Sequence, residues 1–221
     1  RKGGFVMTYS TLASIVKYPF SSQLAGQKSK FGFFLTEEKD YQKIADELGI
    51  KRISKVGEPL KYARHPLVYL VEAADDICYQ MMDIEDAHKL KLLTTEETKG
   101  LYEQFFDENR KNRAKEVYRM VTDENEQIAY LRATAIGILV SECARVFIEN
   151  EDTILDGEFQ EALIKHIAEP YKGAYKHCSD IALKKIYRSR DVLDIELAGF
   201  NVISTLLELM IDAVQSPEKA Y

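Results

Sequence analysis

A chain of 221 residues with 46% hydrophobic content can bury one substantial core, which sets it apart from disordered and fibrous polypeptides. Its formal net charge of -6 argues against a protein held to nucleic acid by bulk neutralisation of phosphate. Cys78, Cys143 and Cys178 are odd in number, far apart and without C-x-x-C spacing, so neither a disulfide framework nor a zinc knuckle is indicated. They are expected to be small core hydrophobes in a reducing, cytoplasmic setting.

Helix signals recur and strand signals are few, so an all-α domain is predicted. Thr8 or Ser10 caps a first helix running to about Lys17, where Tyr18-Pro19-Phe20 ends it. Residues Ser21 to Ser29 read as a loop, and Phe31-Gly32-Phe33-Phe34-Leu35 as a short apolar plug, either a strand or an extended segment. Thr36 is placed as the cap of a helix over Glu37–Leu48, closed by Gly49. Ile50 to Arg64, with Gly57 and Pro59, has no clear period and reads as a connection.

Pro66 suits the first turn of a helix, where its missing N–H costs nothing, and no glycine or proline interrupts the run to Leu93. The next helix starts at the capping-box pair Thr94 and Glu97 and runs toward Asn109, with Leu101, Tyr102 and Phe105 inward. Helices over Asn112–Val121 and Glu124–Asn150 follow, the second carrying Ile128, Leu131, Ile138, Leu139, Cys143, Val146 and Phe147 at helical intervals. Asp156-Gly157 marks a turn, Glu158–Ile167 a short helix ended by Pro170, and Tyr171–Tyr187 and Arg190–Gln215 the last two helices. Gly199 inside the last one points to a close contact or a kink. The longest apolar run considered, Ala133 to Val140, is too short to span a bilayer, and no secretory leader is visible, so no membrane association is expected. With no initiator methionine ahead of Arg1, the chain is expected to be a fragment, and residues 1–221 are expected to form one helical domain.

The most informative stretch is Glu72-Ala73-Ala74-Asp75-Asp76-Ile77-Cys78-Tyr79 with Asp83, Glu85 and Asp86. At 3.6 residues per turn Asp75, Tyr79, Asp83 and Asp86 share one stripe, and Leu67, Leu70, Val71, Ala74, Ile77, Cys78 and Met81 form the neighbouring stripe, expected to pack. Two readings of the acidic stripe stand side by side: a solvated helix face, or a site for ions or sugar hydroxyls. The chain has no G-x-S-x-G, no phosphate-binding glycine loop, and no H-E-x-x-H among His65, His88, His166 and His177.

Arg64-His65-Pro66-Leu67-Val68-Tyr69-Leu70-Val71-Glu72-Ala73-Ala74-Asp75-Asp76-Ile77-Cys78-Tyr79 and Asp83-Ile84-Glu85-Asp86 closely resemble the second half of bacterial deoxyguanosine triphosphate triphosphohydrolases of the HD-domain superfamily. The resemblance extends to Thr8–Ala13, Val16–Pro19 and Lys30–Phe34, and more loosely to Arg132–Ala135 and Glu196–Phe200. It implies a multi-helix HD-domain-like bundle from a cytoplasmic, homo-oligomeric enzyme. The implied reaction hydrolyses dGTP or another dNTP to the deoxynucleoside and tripolyphosphate with a divalent metal ion such as Mg or Mn.

The resemblance makes Asp75 a metal ligand, and makes Tyr79 and Asp83 the residues that meet the deoxyribose, the ring excluding a 2′-hydroxyl and the carboxylate accepting from the 3′-hydroxyl. Lys17 and Lys30 resemble lysines that contact the triphosphate; read from the residues alone they are two solvated surface lysines, since lysine is mostly exposed. Each histidine here is followed by Pro, Lys, Ile or Cys, so the family's His-Asp pair is absent and no catalytic residue is expected within this chain. The missing N-terminal half of the protein then becomes the expected partner, and the chain alone is expected to be inactive. Asp76 is read as a buttress, His65 as a structural residue, and Arg64 as facing either a phosphate or a neighbouring acid. The competing reading is a non-catalytic helical interaction or regulatory module, its acidic helix in solvent and its tyrosines at an interface.

Overall fold

The structure, a computed structural model, describes residues 6–26 and 30–219. Its helices are α1 (Tyr9–Ser14), α2 (Glu38–Glu47), α3 (Pro66–Lys89), α4 (Thr95–Glu103), α5 (Glu108–Met120), α6 (Glu124–Glu149), α7 (Glu151–Leu155), α8 (Tyr171–Ile181) and α9 (Arg190–Gln215). Among the described residues the extended segments make only isolated bridges, Phe20 to Lys61, Ser21 to Phe33 and Arg52 to Tyr62. The fold is all-α, as the periodicity predicts.

Two long helices organise the core. α3 starts where Pro66 predicts: His65 caps it by accepting the Leu67 N–H on Nδ1 at 3.2 Å, and Lys91, at a φ of 59°, turns the chain away after it. α6 starts at Asp123, whose carboxylate accepts the Glu126 N–H at 3.0 Å, one of the donors that a helix start leaves unpaired. Between them Ile77, Met81, Ile84, Ile128, Leu131 and Leu139 are fully buried, and removing each side chain of this size from water contributes about 1.5–3 kcal/mol. Polar ties fix their register: Arg132 on α6 pairs with the buried Glu85 on α3, and the Tyr102 hydroxyl of α4 donates to the Met81 carbonyl at 2.8 Å.

The capping box of α4 forms as its spacing predicts: the Thr94 N–H donates to Glu97 at 2.9 Å, and Thr94 Oγ1 accepts the Glu97 N–H at 3.2 Å. Other boundaries shift for identifiable reasons. The Asp107 carboxylate accepts the Arg110 N–H at 2.8 Å, so α5 begins before Asn112 and α4 ends short of Asn109. Thr36 is no cap; it lies in a 3₁₀ turn over Leu35–Glu37, where the Glu37 carboxylate accepts the Phe34 N–H at 2.9 Å. α1 stops at Ser14 rather than near Lys17. The helix expected over Glu158–Ile167 is reduced to a 3₁₀ turn at Leu163–Lys165, because the Glu158 and Phe159 N–H groups bond back to the Thr153 carbonyl and close α7. α8 gives way to one π-helical turn over Ala182–Ile186 before reaching Tyr187. The loop expected over Ser21–Ser29 contains a 3₁₀ turn at Ser22–Leu24, and its residues 27–29 lie outside the described part.

A smaller cluster of Phe33, Tyr41, Ala45, Leu60 and Tyr62 sits under α2, with Phe33 stacked on Tyr41 at 4.5 Å between ring centroids. It anchors the segments that carry Lys17 and Lys30. Gly32 makes that approach possible: a Cβ there would lie 2.2 Å from the Tyr18 carbonyl oxygen.

Two expectations are overturned at the surface. α9 has no fully buried residue, and Leu197, Phe200, Ile203, Leu206 and Met210 are all exposed. By length and composition it suffices to cross a membrane, contrary to the expectation that no segment does; Glu196 and Glu208 divide it, so it holds no long uninterrupted apolar run. Gly199 makes no close contact, since a Cβ there would meet open space among the described residues.

Candidate functional site

α3 divides lengthwise into a buried and an exposed half. The buried half carries Val68, Tyr69, Glu72, Ala73, Ile77, Gln80, Met81 and Ile84. Ile77 and Met81 pack as expected, but Leu67, Leu70, Val71, Ala74 and Cys78 are exposed. This corrects the assignment of the packing stripe. Most of the circumference of this helix is apolar, so periodicity cannot say which arc faces the core. Cys78 is therefore not a core residue, whereas burial lifts the thiol of Cys143 to about 11 and that of Cys178 to about 12.

Asp75 and Tyr79 lie in the exposed half, one turn apart, with Tyr79 at 62% exposure. Asp83, a turn further on, is half-buried and accepts a hydrogen bond on Oδ2 from the Tyr187 hydroxyl. Burial raises the Asp83 carboxyl above its ordinary range, with the Tyr187 hydrogen bond opposing. Asp76 is also half-buried; burial first, then the charge of Glu72, raises its carboxyl, and its carbonyl accepts the Tyr175 hydroxyl at 3.1 Å.

At the N-terminal end of the stripe Glu72 gathers two cations. Its carboxylate accepts from Lys17 Nζ at 2.9 Å and from Arg64 Nη1 at 2.9 Å, while Arg64 Nε donates to the Lys17 carbonyl at 3.0 Å. Burial works against the Glu72 charge, and the two hydrogen bonds overcome it, leaving this carboxyl below its ordinary value. The hydrogen bond to Glu72 raises the Lys17 ammonium. Arg64 therefore faces a neighbouring acid, which settles one of its two readings. Beside this cluster lies a cleft of about 240 Å³, whose lining includes Lys17, Lys61, Arg64 and Tyr69. Lys30 is exposed, donates to the Tyr18 hydroxyl at 3.2 Å and lies over that ring at 5.4 Å.

The histidines do not converge on Asp75. His65 caps α3, His88 meets Thr95 at 3.0 Å, His166 faces Glu161 at 3.2 Å and His177 meets Gln104 at 2.9 Å. Among the described residues no three His, Cys, Asp or Glu side chains are grouped to hold a metal ion. The described residues do not make a metal centre by themselves.

The structure thus brings Asp75, Tyr79 and Asp83 onto one helix and Lys17 to its N-terminal end, with Lys30 held by the residue after Lys17. Sequence reasoning missed two participants. Glu72 was legible as part of the acidic run but not as the anchor of Lys17. Tyr187 lies 104 residues from Asp83, and only the fold joins them.

No protein-family model matches the chain. Curated relatives do. A protein of Pseudomonas aeruginosa named deoxyguanosinetriphosphate triphosphohydrolase-like is 31% identical over 212 residues, 93% of this chain and 46% of that protein. One of the same name from Synechocystis is 29% identical, covering 94% of this chain and 47% of its own length. A deoxyguanosinetriphosphate triphosphohydrolase of Klebsiella pneumoniae is 28% identical, covering 92% of this chain and 42% of its own length. The resemblance read from the sequence is borne out along nearly the whole chain, and the chain spans about half the length of the curated relatives it matches.

Proposed function

We propose that this chain is the C-terminal half of a deoxynucleoside triphosphate triphosphohydrolase, and that it supplies the sugar-facing and part of the phosphate-facing wall of the pocket. The observation that carries this reading is the alignment of 93% of the chain with under half of a relative named deoxyguanosinetriphosphate triphosphohydrolase-like, over a stretch in which Asp75 and Tyr79 are exposed here. The exposed apolar stripe of α3 beside Asp75 supports it, because a protein surface of this kind gains by being covered. The N-terminal half is the partner that covers it, in a homo-oligomeric, cytoplasmic enzyme acting on dGTP or another dNTP.

In this reading Tyr79 lies against the deoxyribose and leaves no room for a 2′-hydroxyl, and Asp83 accepts from the 3′-hydroxyl. Lys17 and Lys30 place ammonium charges on the triphosphate; Lys17 keeps donors to spare after its bond to Glu72. Asp75 is the chain's contribution to a divalent metal site whose other ligands lie outside it. The groups that move protons lie outside it as well, so the isolated chain is inactive.

The reading as a non-catalytic interaction module has one observation in its favour, the exposed apolar length of α9. Glu196, Glu208 and Asp212 along that helix suit a protein partner better than lipid. Incubating dGTP and Mn²⁺ with the complete protein and with the isolated chain separates the two readings. The enzyme reading predicts tripolyphosphate from the complete protein only, and its absence from both leaves the module.

A further inference from the structure

The side of α8 and of the π turn after it that faces α3 makes three polar contacts in succession. Tyr175 donates to the Asp76 carbonyl at 3.1 Å, Ser179 Oγ donates to Gln80 Oε1 at 2.8 Å, and the Tyr187 hydroxyl donates to Asp83 Oδ2. The third contact needs the π turn. In a regular helix at about 100° per residue, position 187 would point about 120° away from Tyr175, and the extra residue held by one π turn brings it back to about 20°. The turn over Ala182–Ile186 is thus what aims Tyr187 at Asp83. Lys185, inside that turn, pairs with Glu97 on α4 and ties the turn to the body of the protein.

Asp83 is left half committed. Its Oδ2 takes the Tyr187 hydroxyl, while its Oδ1 has no hydrogen bond from the protein among the described residues. A half-buried carboxylate held by one oxygen keeps the other free and directed, which is what selection of a hydroxyl-bearing ligand requires. Tyr79, the exposed ring one turn before Asp83, stands on the same stripe of α3.

The geometry points to Tyr187 as a positioning residue that sets the preference of the site for a sugar with a free 3′-hydroxyl, by fixing the orientation of Asp83. This inference rests on the assignment of Asp83 to the sugar in the proposed function. Tyr187 itself need not touch the substrate.

The test uses the complete protein with dGTP and 2′,3′-dideoxy-GTP, comparing kcat/KM for the unaltered enzyme, Asp83→Asn and Tyr187→Phe. The phenylalanine removes one hydroxyl and keeps the ring. Loss of a hydrogen bond to a charged group predicts about a tenfold fall in kcat/KM for dGTP in Tyr187→Phe. The dideoxy substrate, which offers Asp83 nothing to accept, should change less than about twofold, so the ratio between the two substrates collapses toward that of Asp83→Asn. An unaltered ratio in Tyr187→Phe, with Asp83→Asn still losing it, would overturn the role of Tyr187 alone. An unaltered enzyme that turns over both substrates equally, with Asp83→Asn no different, would overturn the sugar-facing role of Asp83 and this inference with it.

Discussion

The Lys17 ammonium and the Glu72 carboxylate meet at 2.9 Å, which fastens the segment after α1 to the start of the acidic stripe on α3. Glu72 is a buried residue that also holds Arg64, so the two cations share one anion. Lys17 is 38% exposed in its side chain, and solvent screens that half of the cluster more than the other.

Glu72→Ala should therefore destabilise the protein by about 1–3 kcal/mol at pH 7, chiefly by leaving the less exposed Arg64 without its anion. Because the folded protein lowers the Glu72 carboxyl, its contribution is complete above the ordinary value of 4.5 and is lost as the pH falls through the folded value. Urea unfolding at pH 7 and at pH 3 measures both statements, and a variant as stable as the parent at pH 7 would refute the cluster's role.

Glu97 offers a cleaner acid transition. Lys185 first, then Thr94, hold its carboxyl down at about 2 from 4.5, so its stabilisation is full above pH 4.5 and disappears as the pH falls through about 2. Glu97→Gln should flatten the stability curve across that window and leave its slope above pH 5 unchanged. Superimposable acid limbs for parent and variant would show that the capping box and the Lys185 pair contribute nothing there.

The thiols report on the exposed half of α3. With Cys143 and Cys178 buried and Cys78 exposed, a disulfide reagent should modify one thiol of the native chain quickly and the other two only after denaturation. In the complete protein Cys78 should become at least tenfold slower as well, because the proposed N-terminal half covers Leu70, Val71 and Ala74 beside it. An unchanged Cys78 rate in the complete protein would mean that this face stays open to solvent.

Much of the helical frame was legible from local rules. Pro66 starts α3, Thr94 and Glu97 cap α4 and Gly49, at a φ of 66°, closes α2. Those signals depend on neighbours in sequence. Some misread boundaries have local causes, such as the Glu37 bond to the Phe34 N–H, and the other misread features depend on residues far along the chain or on which arc of a helix faces the core. Leu67, Leu70 and Cys78 were assigned to the core because most of the circumference of α3 is apolar and periodicity does not say which arc is buried. α9 is likewise uncovered: none of its residues is buried, although its apolar content announced no such exposure. Glu72 was seen as one acid in a run, and only the return of Lys17 and Arg64 to it shows what it holds. Tyr187 could not be found by spacing at all, since its direction depends on a π turn that no capping or periodic signal announces.

In the proposed function Asp75 belongs to a phosphohydrolase pocket completed by residues outside this chain. The measurement that tests it most directly is tripolyphosphate release from dGTP, together with bound divalent metal, in the complete protein and its Asp75→Ala variant. The account predicts that the parent releases tripolyphosphate and that the variant loses metal and at least a thousandfold in rate, about 4 kcal/mol of transition-state stabilisation. A variant that keeps its metal and turns over dGTP at the parent rate would contradict it.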